Sequence, residues 1–171
     1  EDLVVSLVFA KNGVAYGPIT EKWKVAGGQL KGTVYYNSYG TNLAQNYCCQ
    51  QGTSTYFGAA TLAVKGGSAS PTLISGSNGN TSACRACHVV ASDGSRLVTQ
   101  RGDNYNVSAV VQLSSLTETT ATPGFAMPAV YPDGSFVFSN AAPLAGGVPP
   151  TTSALFSLPS GTAKTALGLP A

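Results

Sequence analysis

The feature that most constrains the fold of this chain is an internal repeat in its second half. Residues 89–100 (Val-Val-Ala-Ser-Asp-Gly-Ser-Arg-Leu-Val-Thr-Gln) align without a gap with residues 129–140 (Ala-Val-Tyr-Pro-Asp-Gly-Ser-Phe-Val-Phe-Ser-Asn), at an offset of 40 residues. Each copy places strand-forming residues on both sides of an Asp-Gly dipeptide, and glycine supplies the positive φ that a tight turn needs. Each copy therefore predicts a strand, a turn capped by the aspartate side chain, and a second strand.

A further matching piece follows each copy of the repeat. Residues 108–113 correspond to residues 153–158, at an offset of 45 residues, and a fainter copy lies at residues 32–36 and 60–64. Periods of about 40 to 50 residues with several short strands each are typical of β-propeller blades. We predict an all-β fold of about three degenerate, propeller-blade-like antiparallel repeats.

An N-terminal hairpin is predicted ahead of these repeats. The apolar, β-branched run Leu3–Phe9 is followed by Asn12-Gly13, which is a strong hairpin-turn signal. No apolar stripe at helical spacing extends over three turns, so little helix is expected. We expect one domain with four approximate units: the hairpin over 1–31, and repeats over 32–82, 83–123 and 124–171.

The composition excludes several partners and favours an extracellular location. Charged residues make up only 9% of the chain, and the formal net charge is +2 without a Lys/Arg cluster. Neither nucleic acid nor an anionic membrane surface is expected as a partner. No membrane span is predicted, because no run approaches the roughly 18 apolar residues required. A neutral surface rich in Ser, Thr, Gly and Asn is typical of secreted proteins, and four cysteines are compatible with an oxidising compartment.

The stretch Cys84–His88 contains half of the cysteines and the only histidine of the chain. Its Cys-x-x-Cys-His spacing matches the c-type haem attachment pattern. Cys84 and Cys87 would bond to the haem vinyl groups, and His88 would bind the iron. Met127, the only methionine, stands before a proline and is a candidate second axial ligand. Its alternative role is packing in a repeat core.

A structural disulfide is the competing interpretation of the same stretch. It would join Cys84 to Cys87, or either of them to Cys48 or Cys49, and His88 would then be a capping or packed residue. Zinc is less favoured, because the motif supplies at most three ligands and two adjacent cysteines make a poor second half-site. Spacing alone does not determine how four cysteines pair, so haem and disulfide both stay open.

Several motifs resemble a known family of repeats. The Ser-Asp-Gly and Tyr-Pro-Asp-Gly turns, each followed by an apolar strand, resemble the WD40-like, TolB-type repeats of secreted bacterial β-propellers. The pattern Cys-x-x-Cys-His-x-Val-x-x-Asp-Gly-Ser over 84–95, and the stretch 32–40, are similar to predicted myxobacterial extracellular proteins with this motif at a blade start. The resemblance covers about residues 23–171 and implies a secreted propeller-like protein. Cys48-Cys49 is not part of that pattern.

Enzymatic activity is not expected. A Ser-His-Asp arrangement needs a histidine outside the Cys-x-x-Cys-His motif, and the chain has none. Only seven residues are acidic, and no Gly-rich phosphate loop lies between a strand and a helix. We expect a secreted structural or binding module. The alternative is a monohaem c-type electron-transfer module.

Self-association is the partner interaction that the sequence predicts. Either the N-terminal hairpin completes a small four-unit ring, or the sheet stays open and the apolar N-terminal run is an exposed strand edge. A third possibility is that these residues belong to a longer chain. Unpaired edges present backbone donors and acceptors to a neighbouring copy. We therefore expect a homo-oligomer or a filament-type assembly.

Overall fold

The described part of the chain is built from β-strands. A computed structural model describes residues 2–25, 27–28, 31–46, 58–76, 83–101, 107–122, 124–140 and 152–170. These residues contain no α-helix, which confirms the expected all-β fold. Within the same ranges, no helix is long and apolar enough to cross a membrane.

The described residues form thirteen strands. In chain order they are β1 (Asp2–Lys11), β2 (Val14–Lys24), β3 (Thr33–Thr41), β4 (Gly58–Lys65), β5 (Thr72–Ser75), β6 (Arg85–Val90), β7 (Arg96–Arg101), β8 (Val107–Gln112), β9 (Thr117–Ala121), β10 (Ala126–Val130), β11 (Phe136–Asn140), β12 (Thr152–Ser157) and β13 (Thr162–Pro170).

The chain divides into two compact units, Glu1–Gly32 and Thr33–Ala171. The first unit is the antiparallel hairpin β1-β2, closed by the turn Asn12–Gly13. Asn12 has a φ of 53° and Gly13 a φ of 74°, the left-handed values that an Asn-Gly hairpin turn requires. The predicted hairpin is confirmed.

The second unit contains three antiparallel sheets with sequential strand order: β3-β4-β5, β6-β7-β8-β9 and β10-β11-β12-β13. We refer to them as the first, second and third sheets. The two copies of the repeat occupy equivalent places, since residues 89–100 run from β6 into β7 and residues 129–140 run from β10 into β11. Among the described residues, none of these sheets closes on itself.

The two Asp-Gly turns are capped as predicted. The backbone N–H of Ser95 donates to Oδ1 of Asp93 at 2.8 Å, and that of Ser135 donates to Oδ1 of Asp133 at 2.9 Å. Hydrogen bonds from the serines hold the pKa of both aspartates below its usual value, because they favour the carboxylate form. The turns are therefore fixed by their own side chains.

The second and third sheets share one hydrophobic core. Phe125 and Phe156 meet there, with ring centroids 5.2 Å apart and planes tilted by 47°. The buried side chains of this core are Val98, Val110, Ala121, Phe125, Val137, Phe156 and Leu158. Burying each large apolar side chain contributes about 1.5 to 3 kcal/mol, so this cluster is the main apolar contribution to joining the two sheets.

The equivalent turns of the two repeats also lie against each other. The N–H of Asp93 donates to the carbonyl of Pro132 at 3.0 Å. Nη1 of Arg96 donates to the carbonyl of Gly134 at 2.6 Å and to that of Leu158 at 3.3 Å. Neighbouring repeats are thus joined by polar contacts at their turns as well as by the apolar core.

Candidate functional site

The Cys-x-x-Cys-His stretch lies where the second sheet meets the first. Cys84 immediately precedes β6, and β6 lies beside β3 and β4. Its pairing with β7 shifts between Ala86 and His88, so Cys87 is an extra residue that bulges out of the ladder. Cys87 has a φ of 46°, an unusual value for a residue with a side chain. The stretch is a bulged strand start rather than the start of a helix.

The two cysteines of the motif have opposite environments. Cys84 is buried, with 1% of its surface exposed, whereas Cys87 is exposed. They are not bonded to each other. Cys48 and Cys49 lie outside the described residues, so the disulfide pairings that involve them stay predictions. Met127 lies on β10, and its side chain is outside the described part of the structure.

The imidazole of His88 contacts the first sheet. Its Nδ1 lies 2.9 Å from Oδ1 of Asn37, which also accepts a hydrogen bond from Oγ1 of Thr61 at 3.1 Å. The ring is half-buried, and this burial lowers its pKa despite a hydrogen bond to the backbone of Tyr35. His88 therefore packs as a neutral side chain between β6 and β3.

This arrangement does not present the three motif side chains to a haem. An iron-bound histidine usually donates from Nδ1 to an oxygen, and the Asn37 contact has that form. Thioether bonds, however, need both sulfurs to reach the porphyrin, and Cys84 is buried whereas Cys87 is exposed. In the structure, the motif residues belong to a packed strand. Covalent attachment of haem stays a prediction, which needs a direct test.

The most connected side chain of the stretch is Arg85, which stands at the first variable position of the motif. It is only 3% exposed and forms an ion pair with Glu118 of β9. Its Nε donates to Oγ of Ser75 at 2.7 Å, and that hydroxyl donates to Oε2 of Glu118 at 2.6 Å. The guanidinium also donates to the carbonyls of Ala83 and Cys84. Three strands from two sheets meet at this one cation.

The charge of Arg85 is compensated where it lies. Burial lowers the pKa of the guanidinium, because a cation is costly away from water, and the carboxylate of Glu118 opposes this effect. Arginine keeps its charge in proteins, so the side chain stays a cation beside Glu118. The pair joins β6 to β9 within the second sheet, and Ser75 of β5 connects it to the first sheet.

Asn46 adds a second buried connection at the same place. It is fully buried, and its Nδ2 donates to the carbonyls of Ala59 at 3.1 Å and Ala83 at 3.0 Å. Its Oδ1 accepts from the N–H of Ala59 at 2.8 Å. We call the contacts of Asn46, Arg85 and His88 between the first and second sheets the polar seam.

The polar seam consists of buried and half-buried polar groups that join parts of two sheets. Its donors are engaged with protein acceptors, which is what buried polar groups require. Across the described residues, no three His, Cys, Asp or Glu side chains lie close enough to hold a metal ion. A cleft of about 290 Å³ lies nearby, lined by residues that include Tyr35, Lys65 and Leu116.

Sequence reasoning identified the right stretch but not its most important residue. The motif directs attention to the two cysteines and the histidine, while Arg85 occupies a position that the motif leaves free. One signal was available: Arg85 is one of three arginines in a chain with few charges, and it stands between small residues at a strand start. Such a cation needs a buried partner or an exposed position.

Comparisons with known proteins leave the resemblance to TolB-type repeats untested. The expectation of TolB-type repeats rests on short motifs and on the repeat period. No family model, no curated protein and no solved structure matches the chain.

Proposed function

We propose that the chain is a secreted or cell-surface structural module, built from blade-like β repeats, that binds further copies of itself. One observation carries this proposal: the first unit is a sheet of only two strands whose large apolar side chains are about half exposed. Trp23 is 57% exposed and Leu7 is 56% exposed. A two-stranded hairpin is marginally stable alone in water, and soluble monomers rarely expose a continuous apolar patch of this kind.

The organisation of the second unit supports a repeat architecture. Strands follow one another in order within each sheet, and equivalent turns of neighbouring repeats are hydrogen-bonded to each other. We interpret the three sheets as blades in an open row. An open row keeps edge strands at its ends, and unpaired edges favour pairing with another copy.

The composition supports a location outside the cell. With 9% charged residues, the surface depends on hydroxyl and amide groups for its solubility. Such a surface keeps long-range charge repulsion between copies small, which favours close packing of many copies. Fractionation of the source cells would test the location, and recovery of the chain only from the cell interior would contradict it.

The polar seam supports a structural role over a catalytic one. Its buried cation has four acceptors around it, one hydroxyl, two carbonyls and one carboxylate, and its histidine is engaged with an amide. These groups rigidify the junction between two sheets, which a load-carrying repeat requires.

Light scattering on the full chain, coupled to size-exclusion chromatography, tests self-association. We expect the weight-average mass to exceed the 17.3 kDa of one chain at about 200 μM and to decrease towards it near about 1 μM. Adding sulfate should increase the mass, because excluded salts strengthen apolar burial. A constant monomer mass over this range would contradict the proposal.

A further inference from the structure

We propose that one face of the N-terminal hairpin docks on the same face of a second copy, about a two-fold axis. The proposal rests on the self-association proposed above and names the surface and its geometry. We call this surface the apolar face. It is distinct from the strand edges, which associate through backbone hydrogen bonds.

The register of the hairpin defines the apolar face. Directly opposed residues of an antiparallel pair project to the same side of a sheet. Phe9 is opposed to Tyr16, and their rings are stacked with centroids 5.1 Å apart and planes 13° apart. The same side carries the opposed pairs Leu3 and Trp23, Val5 and Glu21, Leu7 and Ile19, and Lys11 and Val14.

The other face of the hairpin is already suited to water. Asp2 is opposed to Lys24 and Val4 to Lys22, so charged side chains cover this end. Ser6 and Thr20 are opposed farther along, with their hydroxyl oxygens 3.5 Å apart. Val4 and Val8 are also exposed on this face, but the three aromatic side chains of the hairpin all lie on the apolar face, so the hairpin is amphipathic.

The apolar face is large enough for a weak, reversible interface. Six of its large side chains are 45 to 57% exposed: Leu3, Leu7, Phe9, Tyr16, Ile19 and Trp23. The four in the two central opposed pairs, Leu7 with Ile19 and Phe9 with Tyr16, offer about 400 Å² per copy at roughly 100 Å² each, or about 800 Å² for a pair. That total is in the range of weak, concentration-dependent interfaces, and a face packing on itself supplies both halves.

Two charges on the apolar face select the arrangement of the pair. Glu21 is opposed to Val5, and Lys11 is opposed to Val14 at the other end of the hairpin. Neither side chain forms an ion pair with another described residue. A partner that placed apolar side chains over both charges would bury them uncompensated, which is costly.

We call a β1 residue together with its opposed β2 residue a row. A two-fold axis between the rows of Leu7 and Phe9 compensates both charges. This axis reverses the order of the rows, so the Leu7 row of one copy faces the Phe9 row of the other. The row of Val5 then faces the row of Lys11, with β1 over β1, which places Glu21 of each copy within one strand spacing, about 5 Å, of Lys11 of the other. The row of Leu3 lies beyond the last row of the other copy, so four of the five rows overlap, and over these rows the face is complementary to itself in charge.

Light scattering of hairpin variants separates this proposal from the proposed function. Association that is unaffected when apolar side chains are removed from the rows of Leu7 and Phe9 would overturn this proposal and leave the proposed function standing. A monomer at every concentration would overturn both.

Charge exchange tests the two-fold arrangement. We expect Glu21→Lys and Lys11→Glu each to weaken association at least about tenfold, because like charges then face each other across the pair. The double variant Glu21→Lys/Lys11→Glu restores opposite charges and should recover association to within about threefold of the original chain. Failure of the double variant to recover would overturn the arrangement.

A matched pair of variants separates the two faces. Leu7→Ser/Ile19→Ser removes apolar contacts from the apolar face and should weaken association at least about 100-fold. Val4→Ser/Val8→Ser makes similar changes at exposed positions on the other face and should leave it within about threefold. Equal effects of the two variants would overturn the assignment of the face, and circular dichroism of both shows whether the hairpin is retained.

Discussion

Replacing Arg85 with methionine is the perturbation that tests the polar seam most sharply. Methionine fills a similar volume, so no large cavity is created, but Ser75 and two carbonyls lose their donor. Glu118 also loses its cation. Breaking a buried pair on one side costs about 3 to 5 kcal/mol. Because Glu118 is 26% exposed and water can still reach it, we expect the lower end, about 3 kcal/mol.

Urea unfolding measured by far-ultraviolet circular dichroism gives this free energy. Tryptophan fluorescence is unsuitable, because Trp23 lies in the other unit. A domain of this size loses about 2 kcal/mol of stability per molar urea, so the midpoint for Arg85→Met should fall by about 1.5 M.

Two variants serve as controls for this measurement. Arg101→Met makes the same replacement where the guanidinium contacts Thr120 of its own sheet, and it should cost less than about 0.5 kcal/mol. Arg85→Met/Glu118→Leu removes both charges and should recover to within about 1 kcal/mol of the original chain. If Arg85→Met lowers the midpoint no more than Arg101→Met does, the polar seam does not hold the sheets together.

Three further predictions concern a histidine, a glycine and the motif cysteines. Burial lowers the pKa of His88 below 6.5, so the unfolded state is protonated first as pH falls. The free energy of unfolding should therefore decrease from pH 7 towards the lowered pKa, and in urea titrations His88→Gln should lose this slope. Gly134→Ala should cost about 2 kcal/mol and Gly94→Ala about 1 kcal/mol in the same assay. Both have a φ near 70°, but a Cβ at Gly134 would lie 2.5 Å from the neighbouring turn, whereas the space at Gly94 is open. The intact mass of protein from its native source should lack the addition of about 616 Da that covalent haem makes, and finding it would establish the haem alternative.

The parts of the fold that follow from local signals could be predicted from the sequence. Asn12-Gly13 and the two Asp-Gly dipeptides each determine a turn, because few residues adopt the backbone angles involved. The repeat then indicated that residues 89–100 and 129–140 form equivalent strand pairs, as they do.

The organisation of the site could not be predicted in the same way, because it depends on packing between distant segments. Ser75 and Glu118 are 10 and 33 residues from Arg85 along the chain, and no local pattern connects them. The burial of Cys84 likewise comes from contact between sheets. A Cys-x-x-Cys-His motif describes spacing along the chain, while haem attachment depends on which side of a surface each sulfur reaches.

The same limit applies to the hairpin. Its strands and its apolar character are visible in the sequence, but the division into two faces needs the register. The extra residue in β2 between Tyr16 and Ile19 keeps both of these side chains on the apolar face, which simple alternation along β2 does not predict.

Sedimentation equilibrium of the full chain at several loading concentrations tests self-association most directly. We expect a reversible increase in mass from 17.3 kDa towards twice that value, with a single association constant describing all loadings. A mass that stays at one chain throughout, up to about 200 μM, would contradict it.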